Sequence, residues 1–216
     1  MLESKTRLIL SLDVTEPERA LEISGKVRDY IDAIKIHWPL ILSSGLQPLP
    51  ELSKIAPVII DAKLSDIPNT NRIACDRMKF FGARGVICQG FAGDDSVEAC
   101  IDSGLEVFVL VEMTHTGSLR FINRSSEEIA SMARDLGATG IVAPGNRPER
   151  ITRYRSIVGP DLQILCPGIG TQGGSPASAI ASGADFIIVG RSIYSSDDPA
   201  SAAEKIVRSI DGKARG

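Results

Sequence analysis

Histidine occurs only twice in the 216 residues, at His37 and His115, and cysteine four times, at Cys75, Cys88, Cys100 and Cys166. No CxxC pair, HExxH run or His-rich tract accompanies them, which argues against a zinc site and a disulfide framework and leaves the cysteines as small buried hydrophobes. Aromatic residues make up 5% of the chain, and the single tryptophan, Trp38, reads as a packing residue. Positive charge is not in excess: a net charge of −3 provides no basic face for nucleic acid. Apolar runs such as VFVLV at 107–111 are far too short to cross a bilayer, so no membrane association is expected. Met1 leads into LESKTR with no signal-peptide core, so a cytoplasmic protein is expected. Cofactor signatures are missing too: no GxGxxG follows the first apolar run, and there is no Walker loop.

What is there is an alternation. Short apolar runs at 7–13, 33–37, 58–63, 85–89, 106–112, 140–144, 163–168 and 186–191 are each followed by a segment with helical spacing of apolar residues. Thr15 and Glu18 form a capping-box pattern ahead of the first helix. Further helices are predicted to about Ile55, over 69–81, from about Ser96, over 126–136, over 148–158, over 176–182 and from Pro199. In the last, Ala202, Ala203, Ile206, Val207 and Ile210 share one side. Eight strands that are continuously apolar, each with a following helix, predict an α/β fold of the (β/α)8 TIM-barrel type, with residues 1–216 as a single domain.

The barrel rule places chemistry at the C-terminal ends of the strands, and one stretch there carries an unusual load of charge. Residues 58–70 read VIIDAKLSDIPNT, an apolar strand in which Asp61 and Lys63 stand two apart and Asp66 follows. Alternation along a strand would turn Asp61 and Lys63 to the same face. Buried charges cost several kcal/mol each unless paired, so this density requires a purpose. Asp13 ends the first strand and Lys35 lies in the second, so four charged groups should converge on one mouth. Opposite them, PGIGTQGG at 167–174 and Gly190–Arg191 supply backbone amides and a guanidinium suited to a phosphate. A site of alternating lysines and carboxylates without an electron sink works by fixed electrostatics and proton transfer.

The DxKxxD run Asp61–Lys63–Asp66, with LD at Asp13, KIxxPL from Lys35 to Leu40, EMTHTG, RPER at 147–150, PGIGTQGG and VGRSIY at 189–194, resembles the orotidine 5′-phosphate decarboxylase family over nearly the whole chain. The resemblance implies decarboxylation of orotidine 5′-phosphate to uridine 5′-phosphate, the last step of pyrimidine nucleotide synthesis, with no cofactor and no metal. It implies that Lys63 protonates C6, that Asp61 sits beside the departing carboxylate, and that Lys35 holds Asp61 and the ribose. Asp13 would contact ribose and Thr114 the pyrimidine. Pro167, Gly168, Gln172 and Gly173, with Gly190 and Arg191, would bind the base edge and phosphate. Separately, the Gly, Ser and Pro content of 171–176 leads to the expectation that this segment closes over the phosphate. Asp66, Ile67 and Thr70 would reach a neighbouring subunit's site, making the active unit a homodimer.

Several positions depart from that pattern. His37 stands where glycine is common and is expected to pack outward, Thr114 stands in place of serine, and Gln89 replaces a frequent histidine. His115 is expected to serve as a structural hydrogen bonder. Two other readings compete. Magnesium-dependent sugar-phosphate enzymes share the DxKxxD strand but usually carry a glutamate where this chain has Lys35, and a lysine repels a divalent cation. A catalytically silent nucleotide-binding barrel would have no use for the charged array.

Overall fold

The computed structural model describes residues 1–170 and 173–210. Eight strands, β1 (Leu8–Leu12), β2 (Ala33–Ile36), β3 (Val58–Leu64), β4 (Gly85–Gln89), β5 (Glu106–Leu110), β6 (Gly140–Val142), β7 (Gln163–Cys166) and β8 (Phe186–Val189), pair in parallel and in chain order. β8 pairs back with β1, which closes the barrel and leaves no open edge. The intervening helices are α1 (Pro17–Val27), α2 (Trp38–Ser44), α3 (Leu49–Leu52), α4 (Pro68–Phe80), α5 (Asp94–Ile101), α6 (Ser126–Asp135), α7 (Pro148–Val158), α8 (Pro176–Ala181), α9 (Arg191–Tyr194) and α10 (Pro199–Ile210). This is the expected (β/α)8 barrel. None of these helices is long and apolar enough to cross a membrane.

The strands are apolar on both faces because both faces are covered. Leu8, Leu10, Leu12, Ile34, Ile36, Val58 and Ile60 point outward into the layer between strands and helices. Their neighbours at Ile9, Ala33, Ile59, Ile87, Phe108, Leu110, Val142, Leu165, Phe186 and Ile188 fill the barrel interior. Phe108 sets the local limit on side-chain size. A Cβ on Gly140 would lie 2.2 Å from the Gln163 carbonyl oxygen and 3.0 Å from the Phe108 ring, so only glycine fits there. The same inward series, carried beyond the interior layers, brings Ser11, Lys35, Asp61 and Gly190 to the top of the barrel.

Three local expectations are corrected. The Thr15–Glu18 capping box does not form: Thr15 donates its hydroxyl to Glu16 at 2.7 Å, and α1 starts on Pro17, whose missing N–H needs no cap. The helix expected up to Ile55 is two short helices, because α2 ends at Gly45 with φ +62 and Pro48 and Pro50 restart the chain as α3. Trp38 is not a core packing residue; it opens α2 and is 43% exposed. All four cysteines are buried free thiols.

Candidate active site

At the C-terminal ends of the strands lies a cavity of about 260 Å³ lined by residues from most of the strands or the loops that follow them. On one side stand Asp13, Lys35, Asp61 and Lys63, in a line of alternating charge. Lys35 Nζ lies 3.0 Å from Asp61 Oδ2 and 4.0 Å from Asp13 Oδ1, and Lys63 Nζ lies 2.8 Å from Asp61 Oδ1. The side chains of Lys35 and Asp61 are 7% and 9% exposed, whereas those of Lys63 and Asp13, at 25% and 38%, face the opening. Ile87, Leu110, Val142 and Ile188 make an apolar floor, and Pro167, Gly168, Gly190 and Arg191 line the far side.

Asp61 and Lys63 do not meet through simple strand alternation. Four steps along β3, from Ile60 to Leu64, match only two along β4, from Val86 to Cys88, so β3 bulges at the segment that carries Asp61 and Lys63. Lys63 sits within the bulge at φ +48, a left-handed conformation costing about 1–2 kcal/mol for a side chain of this kind. The bulge re-aims Lys63 at the cavity.

His37 supports this segment through its ring and is not among the residues that line the cavity. The Ile34 N–H donates to the Pro57 carbonyl at 2.9 Å, and the parallel register continues through Ile36 and Ile60. The next acceptor in that ladder is the Asp61 carbonyl, but Trp38 turns into α2. The His37 ring takes its place, Nδ1 lying 2.5 Å from the Asp61 oxygen. A carbonyl can only accept, so Nδ1 carries the proton. Burial pushes the imidazole pKa below its usual value and outweighs the pull of Asp61, which keeps the ring neutral.

Burial alone would push the Asp61 carboxyl up, but the Lys35 and Lys63 ammonium groups together hold it below the ordinary carboxylate value of 3.8. A depressed folded pKa adds stability that is present above the unfolded value and lost as pH falls through the folded one. The stability gap between wild type and Asp61→Asn should therefore be constant down to about pH 5 and close progressively below pH 4. Urea unfolding across that range checks this; a gap that widened in acid would mean that Asp61 is protonated in the fold.

Glu112, two residues past β5, was not among the sequence candidates, although the inward spacing from Phe108 and Leu110 points to it. The residue is 4% exposed and lines the cavity. Oε1 accepts from Arg147 at 2.5 Å, and Oε2 accepts from Arg150 at 2.9 Å and from the Tyr154 hydroxyl. Arg150 also bonds Glu127 at 3.1 Å and Ser126 at 2.9 Å on α6. Burial first, then the bond to Glu112, pushes the Tyr154 phenol up to about 12. Next to Glu112, Met113 and Thr114 also line the cavity, and the Asn123 carboxamide closes both ends of the Met113 peptide at 3.1 Å. His115 serves through its carbonyl, which accepts from the Ser118 hydroxyl at 2.6 Å and from the Ser118 N–H at 3.1 Å. Ser11, 6% exposed, is a second lining residue that period-two spacing from Asp13 could have found.

The remaining candidates divide. Gly168 at φ +91 and Gly173 at φ +85 allow the loop after β7 to fold back, with Gly174 N–H donating to the Gly168 carbonyl at 3.1 Å. Gly168 lines the cavity; Gly173 does not. Gln172 lies outside the described residues. Asp66, Ile67 and Thr70 are exposed and do not line this cavity.

Comparison with known proteins agrees with this geometry. The family model described as Orotidine 5'-phosphate decarboxylase / HUMPS family matches residues 6–206. A curated relative named orotidine 5'-phosphate decarboxylase, from Methanococcoides burtonii, is 51% identical over 209 residues, covering 95% of this chain and 97% of its own. The crystal structure of orotidine 5'-phosphate decarboxylase from Pyrococcus horikoshii OT3 superposes with a TM-score of 0.91 at 44% identity, covering 95% of this chain and 99% of that one. The enzyme from Methanocaldococcus jannaschii, solved with the inhibitor BMP, gives a TM-score of 0.89 at 36% identity, over 98% of this chain and 100% of its own. With a family model spanning nearly every strand and helix, and relatives near half identity end to end, this chain belongs to the orotidine 5'-phosphate decarboxylase / HUMPS family.

Proposed function

We propose that this protein decarboxylates orotidine 5'-phosphate to uridine 5'-phosphate and CO₂, the last step of de novo pyrimidine nucleotide synthesis, without a metal or cofactor. The observation that carries the reading is the unbroken series Asp13–Lys35–Asp61–Lys63 on one wall of a cavity with an apolar floor. Lys35 occupies the position where the magnesium-dependent relatives of this fold carry a carboxylate, and its ammonium, locked to Asp61 at 3.0 Å, repels a divalent cation there.

The substrate phosphate sits at the Gly168, Gly190 and Arg191 side, where loop amides and a guanidinium provide charge-assisted bonds. Pro167 lines the same wall, and Gln172 and Gly173 belong to the same loop. Asp13 and Lys35 hold the ribose, and Thr114 with Ser11 meets the pyrimidine edge. The C6 carboxylate then lies against Asp61. Its bond to C6 breaks, the electron pair remains on C6, and CO₂ departs over the apolar floor. Lys63 donates a proton from Nζ to C6, and solvent returns one to the amine. Asp61 holds Lys63 in place through the 2.8 Å bond, so the acid is aimed before the charge develops.

The active unit on this reading is a cytoplasmic homodimer in which Asp66, Ile67 and Thr70 complete the partner's site. Their exposure supports this: Ile67 is 65% exposed and Ile73, on α4, 56%, apolar area that a second copy would cover.

In excess chelator the purified protein should consume orotidine 5'-phosphate, followed by its absorbance. No turnover until magnesium is restored, and then only of a sugar phosphate, would mean that Lys35 had been misread. Bound nucleotide without turnover in either assay would favour a silent barrel. Co-expression of Asp66→Ala and Lys63→Ala chains should restore one wild-type site in each hybrid dimer if Asp66 acts across the interface. Inactive hybrids would place Asp66 outside the partner's site.

A further inference from the structure

Asp66 raises a question that its own chain does not answer. Its side chain is exposed and lies off the cavity, and among the described residues it makes no ion pair, yet its backbone is held by side chains buried in the protein interior. Asn71, on the first turn of α4, is fully buried, and Ser96, on α5, is 2% exposed. Asn71 Nδ2 donates to the Asp66 carbonyl at 3.1 Å, to Ser96 Oγ at 2.8 Å and towards the Ser96 carbonyl at 3.2 Å. Asn71 Oδ1 accepts from the Asp66 N–H at 3.3 Å, and Ser96 Oγ donates to the Asp66 carbonyl at 3.0 Å. Both ends of the Asp66 residue are therefore tied down. Its carboxylate is oriented as well, since Oδ1 accepts from the Ile67 N–H at 2.7 Å.

An asparagine inside a helix is a poor choice on propensity, and a buried amide is tolerated only when its bonds are made. If packing alone were required between α4 and α5, an apolar side chain of similar volume would serve better. The amide and hydroxyl are instead spent on one exposed residue directly after the bulged end of β3. We infer that Asn71 and Ser96 are positioning residues that pre-set the Asp66 carboxylate for the active site of a second copy of this chain. The inference rests on the reading of Asp66 as a residue acting across the dimer, and it adds the device that aims it. Preorganisation of this kind places the carboxylate before the subunits meet, so none of its ordering has to occur on substrate binding.

The test is a double-mutant cycle in decarboxylation, run at protein concentrations at which sedimentation shows full dimer. Asn71→Ala should lower kcat by about 10²-fold with a much smaller change in KM, as expected for a displaced group near the reacting atoms. In the Asp66→Ala background the same substitution should cost less than about threefold, because the residue it positions is already gone. Ser96→Ala should act in the same direction more weakly, and Ser96→Thr, which keeps the hydroxyl, should recover most of the activity. Ser96→Ala also carries the test if Asn71→Ala does not fold, judged by circular dichroism. Equal losses in both backgrounds, or an unchanged kcat in a folded dimer, would overturn the positioning role. A wild-type protein that fails to decarboxylate would overturn the functional reading, and the positioning role with it, and that outcome is separate from multiplicative losses in an active enzyme.

Discussion

Lys63→Ala should lower kcat for orotidine 5'-phosphate by about 10³- to 10⁴-fold while leaving KM within a few-fold, since general acid catalysis contributes on that scale. The ammonium stands beside Asp61, 2.8 Å from Oδ1, and alanine removes both the proposed proton donor and one of that carboxylate's two cationic partners. KM should hold because the proposed phosphate site is formed by other lining residues, Gly168, Gly190 and Arg191. Lysine at φ +48 is also a strained choice. Glycine has no Cβ penalty there, so Lys63→Gly should be as inactive as Lys63→Ala yet more stable by about 1 kcal/mol. Steady-state kinetics and thermal melts on the two variants separate chemistry from strain. A kcat within tenfold of wild type in both would remove Lys63 as the acid. Equal stability of the two would mean that the bulge relaxes once the lysine is gone.

The second large effect is structural and lies at Glu112, just past β5. Glu112→Ala should destabilise the protein by about 3–5 kcal/mol, the usual cost of removing one partner from a buried ionic network. Its carboxylate is the acceptor shared by Arg147, Arg150 and Tyr154, and its side chain is 3% exposed. Arg147, 30% exposed, would lose the carboxylate it pairs with, and Arg150, 28% exposed, would keep only Glu127. For a chain of this length each kcal/mol moves Tm by about 2–4 °C, so a fall of roughly 6–20 °C is expected. Glu112→Gln keeps an acceptor and should cost less than half as much. Differential scanning calorimetry decides the matter: a loss below about 1 kcal/mol would mean that water replaces the carboxylate, as at exposed ion pairs. Because Met113 and Thr114 follow directly and line the cavity, Glu112→Ala should also raise KM through the proposed pyrimidine contact.

Much of this architecture was legible in the amino-acid order because it depends on local periodicity. Runs such as GVICQ and QILC, buried on both faces, can only be strands of a covered parallel sheet, and α7 from Pro148 to Val158 is delimited by a proline at its start and a glycine after its end. The positions of Asp13, Lys35 and Asp61 at the strand ends follow from the same alternation, and so does the glycine-rich run after β7. Resemblance to a known family added roles to residues that the pattern had already brought together.

The tertiary structure decided whatever depends on a partner distant in sequence. The route of Lys63 to Asp61 is set by the register between β3 and β4, a bulge that no count along β3 reveals. His37 serves the Asp61 carbonyl because α2 begins one residue too early for the ladder to continue. Glu112 is satisfied by groups 35 to 42 residues away, and a lone glutamate after an apolar strand carries no sign of them. Asp66 reads as one more charge at the mouth until the fold turns it outward and ties its backbone to Asn71 and Ser96. Alternation along the chain determines which face a side chain takes, because it is a property of one segment; which group it meets there is set by how separate segments pack, and only the closed barrel specifies that.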